Sequence, residues 1–244
     1  MHRRILAPEP LPDEPIEGIA PGWISCHSFF LRLTTGSIVP ESEIRCVGVV
    51  AGSDSSGGIG TLVGVKDAAY FVSPTTGPGH PLLLLHSWWG LDSGVRRMAD
   101  RISDEGHTVL VPDLLAGETF DDAASAEANL KSLDVDRLAS LTQASVHLVR
   151  ERGAGSHEPV SIVGLSMGAS LGLWASIRIP DAVSHVVSFY GTQTIDFAGA
   201  RAAYQLHFAD DDELVDSDEA TFMEATIGLT GLEVESHSYP LSLI

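Results

Sequence analysis

Cysteine, lysine and long apolar runs are what this chain of 244 residues has least of. Its two cysteines, Cys26 and Cys46, both lie near the start. Two in a chain of this length make no disulfide framework, and neither belongs to a metal-binding spacing. No apolar run approaches the roughly 18 residues needed to cross a bilayer; Leu82–Leu85 is far too short. Arg3 and Arg4 imitate the start of a signal peptide, but prolines and acids (Pro8, Glu9, Pro10, Pro12, Asp13, Glu14) occupy the place of its apolar core. The expectation is a reduced, cytoplasmic protein. Positive charge is scarce too. Lys66 and Lys131 are the only lysines, and 14 basic residues face 33 acidic ones, for a net charge of -19. A surface of that sign repels phosphate backbones and anionic lipid, which excludes nucleic-acid and membrane-surface binding as leading functions.

What is present is an ordinary globular composition, 44% hydrophobic, of a length suited to one α/β domain or a smaller one with an extension. Residues 1–57 read as an N-terminal extension, partly disordered: the first 22 are rich in proline and acid, and Ala51–Gly58 has the composition of a linker. Residues 58–244 read as the folded domain. Pro81–Leu85 is apolar on both faces, as a central parallel strand requires. A helix should follow, capped by Asp92 or Ser93, striped by Val95, Met98, Ala99 and Ile102, and stopped by Gly106. Further strands are expected at 107–111, 160–163, 182–189, 203–208 and 232–239, and helices at 122–131, 136–152, 167–179 and 217–227. The 136–152 helix should turn Leu138, Leu141, Ser145 and Leu148 inward. Such alternation with short connections predicts a mostly parallel sheet with helices on both faces. Ligand sites in these sheets lie at the carboxyl ends of strands, where Trp88, Asp113, Ser166, Tyr190 and Asp212 fall.

The most informative stretch is Gly164-Leu165-Ser166-Met167-Gly168, a G-x-S-x-G pattern between an apolar strand and an apolar helix. A turn this sharp leaves no room for side chains two positions either side of the serine, so glycine is favoured at both. The serine oxygen is thereby presented above a helix N-terminus, which suits a nucleophile. Acyl transfer then needs an acid, a base and oxyanion donors. The acid is expected in the run Asp210-Asp211-Asp212-Glu213 at the end of a later strand, with Asp212 preferred because Asp212-Glu213-Leu214-Val215 reads as a turn into a helix. The Met167 N–H is one oxyanion donor; Trp88, in the loop after Leu85, is placed for the second. Ser87, Trp89 and Tyr190 are the expected pocket residues.

From about Thr61 onward the chain resembles the dienelactone hydrolase family of α/β-hydrolases. The resemblance is carried by His86-Ser87-Trp88-Trp89-Gly90-Leu91, Ala99-Asp100-Arg101, Val111-Pro112-Asp113-Leu114, Gly164–Gly168, Ser188-Phe189-Tyr190-Gly191-Thr192, His207–Asp212 and Ser238-Tyr239-Pro240. It implies an α/β-hydrolase fold and hydrolysis of a small ester or lactone without cofactor or metal. It also implies Ser166 as nucleophile, Asp212 as acid, and the Trp88 and Met167 amides as the oxyanion hole. The family's namesakes carry a nucleophilic cysteine where this chain has Ser166, and commonly a glutamate where it has Ser87. In the family, Tyr-Pro-Gly is soon followed by the catalytic histidine and a closing helix. Here Tyr239-Pro240 is followed by Leu241-Ser242-Leu243-Ile244, and no histidine follows His237. His237 lies within the last strand; His86, His185 and His207 lie in or at the ends of strands and read as structural or pocket residues. The sequence therefore also admits a non-catalytic, small-ligand-binding protein or an inactive, C-terminally shortened form, with part of the sheet left uncovered. It assigns no oligomeric state.

Overall fold

The computed structural model describes residues 69–240, except 156, 211, 213 and 214. The expected extension, its boundary near residue 57, and Asp211 as an alternative acid lie outside the described residues. The elements are β1 (Ala69–Val72), β2 (His80–Leu85), α1 (Ser93–Asp104), β3 (His107–Pro112), α2 (Ala123–Ser132), α3 (Val135–Arg152), β4 (Val160–Leu165), α4 (Met167–Arg178), β5 (Val183–Phe189), β6 (Ala203–Ala209), α5 (Ser217–Leu229) and β7 (Val234–Tyr239). The strands form one sheet in the order β1-β3-β2-β4-β5-β6-β7. β1 runs antiparallel to β3, and every other pairing is parallel.

The acidity has a local use at the helix starts. Asp92, Asp122, Asp134 and Asp216 are the N-caps of α1, α2, α3 and α5, each accepting a backbone N–H of the first turn. Such a cap satisfies a donor the helix cannot pair internally and places negative charge at the positive end of the dipole, worth about 1 kcal/mol each. One helix is built differently. α4 starts at Ser166, whose φ is 50° and whose side chain makes no capping bond.

Two buried clusters lie on the two faces of the sheet. The larger holds Leu83, Leu85, Leu110, Ile162 and Val186 beneath α3, α4 and α5, including Leu138, Val146, Leu171, Trp174, Met223 and Ile227. The smaller packs Leu82, Leu84, Val109, Val111 and Val163 against Ala99, with Val95, Met98 and Ile102 beside it, so the stripe read for α1 is the one it buries. Helices thus occupy both faces, but unequally. Among the described residues only α1 covers the second face, over β1 and β3. On that face the β5–β7 half carries half-exposed residues: Val187, Phe189, Gln205 and His237.

One helix face differs from expectation. α3 buries Leu138 and Ser145, but its inner side is completed by Thr142, Val146 and Val149, while Leu141 and Leu148 are only partly buried. Thr142 is tolerated there because its hydroxyl donates to the Leu138 carbonyl at 2.8 Å, leaving no polar group unpaired. An apolar periodicity does not register a threonine that satisfies itself.

Candidate active site

β2, β4, β5 and β6 are consecutive neighbours in the sheet, and the expected site residues come from the turns at their carboxyl ends. β4 stops at Leu165 because the next residue, Ser166, takes φ 50° and ψ -113°. A non-glycine residue held there stores strain of order 1–3 kcal/mol, which persists only where the surroundings over-determine it. They do so here. The Ser166 N–H donates to the Phe189 carbonyl at 2.8 Å, and the Ser166 carbonyl accepts from Ala169 and Ser170 at 2.9 and 3.2 Å. A Cβ on Gly164 would come within 2.5 Å of the Ala169 nitrogen, and one on Gly168 within 2.5 Å of the Leu85 carbonyl carbon. Both glycines are therefore steric requirements of the turn. The half-exposed Ser166 is followed by Met167, only 1% exposed, at the positive end of α4.

A second strained residue stands beside the first. Tyr190, half-buried just past β5, has φ 56°, and its N–H donates to the His207 carbonyl at 3.0 Å. Gly191 then passes so close to the turn that a Cβ there would meet the Ser166 carbonyl oxygen at 2.7 Å. Sequence reading placed Tyr190 in a pocket and missed this packing role of Gly191. Only the three-dimensional approach of the two loops creates it.

The loop after β2 lies on the other side. Leu85 pairs with Gly164, so Ser87, Trp88 and Trp89 follow directly from the strand beside the turn. All three are half-buried. The two indoles meet edge to face at 5.5 Å, and Trp88 packs on the main core. The loop is tied to the segment after β3. The Phe120 N–H donates to the Trp89 carbonyl at 3.0 Å, Gly90 bridges Thr119, and the Leu114 N–H donates to His86 Nε2 at 3.0 Å. Asp113, 4% exposed, accepts the Leu115 N–H at 3.1 Å and stabilises that segment.

Asp212 is half-buried three residues beyond β6. Asp210, the other described carboxylate of the run, is exposed, with its N–H on the Tyr239 carbonyl. The histidines are engaged elsewhere. Burial pushes His86 below the ordinary imidazole range, against smaller opposing contributions from the Ser87 carbonyl, Asp113 and Asp92. His207 shares hydrogen bonds with the Tyr239 hydroxyl at 2.8 Å and Gln205 at 3.1 Å, and its ring stacks between Phe189 and His237. Its pKa is also lowered, by burial first and His237 second. His237 pairs with Glu235. His185 is exposed near the opposite end of β5. Among the described residues no histidine is hydrogen-bonded to the Ser166 hydroxyl, and no cluster of three or more metal-ligating side chains occurs. No described helix is long and apolar enough to cross a membrane.

Residues 68–242 match the family model of the dienelactone hydrolases. Protein usf of Aquifex pyrophilus is 27% identical over 185 residues, spanning 72% of this chain and 80% of that protein. A protein of Aquifex aeolicus provisionally named carboxymethylenebutenolidase is 28% identical over 181 residues, or 70% of this chain and 78% of that one. A dienelactone hydrolase-like promiscuous phosphotriesterase from metagenomic libraries superimposes with a TM-score of 0.62 at 17% identity, covering 72% of this chain and 76% of its own. That structural likeness shows the α/β-hydrolase fold.

Proposed function

Because the chain belongs to the dienelactone hydrolase family, and is by that membership a hydrolase, we propose that it cleaves small carboxylic esters or lactones through Ser166. The observation that carries this reading is the start of α4. Four helices begin with an aspartate side chain capping the first turn. α4 begins with a strained serine, a residue well suited to capping, whose side chain does not cap. A conformation that costs energy and leaves the hydroxyl unused by the fold is the arrangement a nucleophile needs.

The ester carbonyl would lie over Ser166 with its oxygen towards the Trp88 and Met167 amides. Attack by Ser166 Oγ, its proton passing to water, forms the tetrahedral intermediate, whose negative oxygen those donors stabilise; each donor is worth roughly 10²–10³ in rate. Collapse expels the alkoxide, or opens the ring of a lactone, and water then releases the acid from the acyl-enzyme. Asp212 takes the place of the acid in this reading. Ser87, Trp89 and Tyr190 line the pocket, and neither metal nor cofactor takes part.

A second reading is favoured by the histidines. His86 and His207 each have both ring nitrogens engaged, and His237 faces Glu235. A site of this shape with no base among its described residues binds a small apolar ligand beside Trp88 without measurable turnover, since losing a triad member typically costs about 10⁴–10⁶ in rate. Hydrolysis of p-nitrophenyl acetate by the chain, with Ser166→Ala as control, decides between them. The ester-hydrolase reading expects faster release of nitrophenol by the wild-type chain and an acetyl group on Ser166 by mass spectrometry. Equal rates without acylation would refute it, and saturable binding without turnover would establish the second.

A further inference from the structure

His86 is fully buried, and both of its ring nitrogens meet backbone. The Leu114 amide can only donate, so Nε2, 3.0 Å away, is the unprotonated nitrogen. The neutral ring then carries its hydrogen on Nδ1, which donates to the Ser87 carbonyl at 2.8 Å. Protonation would oppose the Leu114 N–H with a second donor. Burial disfavours it, outweighing the nearby carboxylates Asp113 and Asp92.

The Ser87 carbonyl and the Trp88 N–H belong to one peptide unit. Peptide units are planar, and among the described residues every one is trans, so these two bonds point in opposite directions. Whatever holds the carbonyl therefore aims the amide. His86 holds it from the interior; the Gly90 N–H, at 3.2 Å, adds a turn bond from within the loop. The other ties of the loop, through Trp89 and Gly90 to residues 119–120, lie beyond this unit.

We propose that His86 is a positioning residue: by gripping the Ser87 carbonyl through Nδ1–H, it turns the Trp88 N–H outward from the core, to where the oxygen of a substrate carbonyl would sit. The inference deepens the ester-hydrolase reading and rests on it for its catalytic meaning, but not for its geometry. His86 touches no reacting atom. It couples the interior to the direction of one oxyanion donor.

Two substitutions separate the two ring nitrogens. In His86→Asn the side-chain amide reaches the place of Nδ1 and keeps a donor for Ser87 while losing the acceptor for Leu114. In His86→Gln it reaches the place of Nε2 and does the reverse. Long-range ¹H–¹⁵N correlations on the wild-type protein are expected to show the Nδ1-protonated tautomer; a proton on Nε2 overturns the proposal without any variant. Residual dipolar couplings of the Trp88 amide are expected to be retained in His86→Asn and shifted in His86→Gln. The rate of Ser166 labelling by a fluorophosphonate, whose phosphoryl oxygen occupies the same hole, should fall about 100-fold in His86→Gln and much less in His86→Asn. An amide direction unchanged in both variants, or altered equally in both, overturns the proposal. Failure of the wild-type protein to label at Ser166, with the couplings as expected, refutes the hydrolase reading and leaves the positioning role supported.

Discussion

Gly168→Ala tests whether the turn at Ser166 is set by steric contact with the neighbouring strand. A methyl group at this position would point at the backbone of the Leu85–His86 junction, 2.5 Å from the Leu85 carbonyl carbon and 2.7 Å from the His86 oxygen. Ordinary contact begins at 3.4 Å and the Leu85 carbonyl oxygen is nearer still than its carbon, so α4 and the end of β2 must separate by more than one ångström. The obstructing atoms are backbone on a central, buried strand, and no rotamer change relieves them. Overpacking of this kind costs about 1–3 kcal/mol, and a backbone obstruction places the loss at or above about 3 kcal/mol. The same displacement moves Ser166 relative to Trp88, and a misplacement of about 1 Å lowers reactivity roughly 100-fold. Two other glycines calibrate the result. Gly106, with φ 101° and open space around it, isolates the conformational penalty, about 1–2 kcal/mol for alanine. Gly199 has open space and no positive φ, so alanine there should be neutral or stabilising by up to about 1 kcal/mol through the unfolded chain. Urea unfolding of the three variants, with fluorophosphonate labelling of each, provides the readout. A Gly168→Ala protein within about 0.5 kcal/mol of wild type, and labelled at a similar rate, would refute the steric account.

Two further perturbations follow from the core. Burial lowers the pKa of His86, so between that value and the unfolded value near 6.5 the unfolded chain binds a proton that the native state does not. Stability therefore holds above about pH 7 and falls on acidification, by at most about 1.4 kcal/mol per pH unit for this one group. The wild-type protein should lose more stability than His86→Asn between pH 7.5 and 5, and parallel curves would show that His86 titrates alike in both states. Phe197 is completely buried and meets Tyr204 edge to face at 5.5 Å. Phe197→Ala should cost about 3–5 kcal/mol while leaving the labelling rate per folded molecule intact, and a loss under about 1 kcal/mol would show that the pocket collapses around the smaller side chain.

The elements were largely legible in the chain because each rests on a local rule. Apolar runs made β2 and β4, an i, i+3, i+4 stripe made α1, and Asp92 was one of two residues read as its cap, whereas the caps Asp122, Asp134 and Asp216 emerged only from the structure. Family membership was legible too, since the residues of the His86 loop, the serine turn and the Asp212 run occur in order. Where packing ruled, the reading was coarser. The inner side of α3 was read as Leu138, Leu141, Ser145 and Leu148; Leu138 and Ser145 are buried and Leu141 and Leu148 pack at the margin of the core, while Thr142, Val146 and Val149 complete the buried face.

What the sequence determined by itself was a serine between two glycines at a strand–helix junction, because that requirement is written in neighbouring residues. What only the tertiary structure decided was the support around it. The Phe189 carbonyl holds the Ser166 amide, Gly191 closes on the turn, and His86 grips the Ser87 carbonyl. Each joins segments at least 22 residues apart, or depends on a buried ring whose tautomer is fixed by Leu114, 28 residues away. Contacts of that range are settled by the pairing of β2, β4 and β5, and no local pattern encodes them.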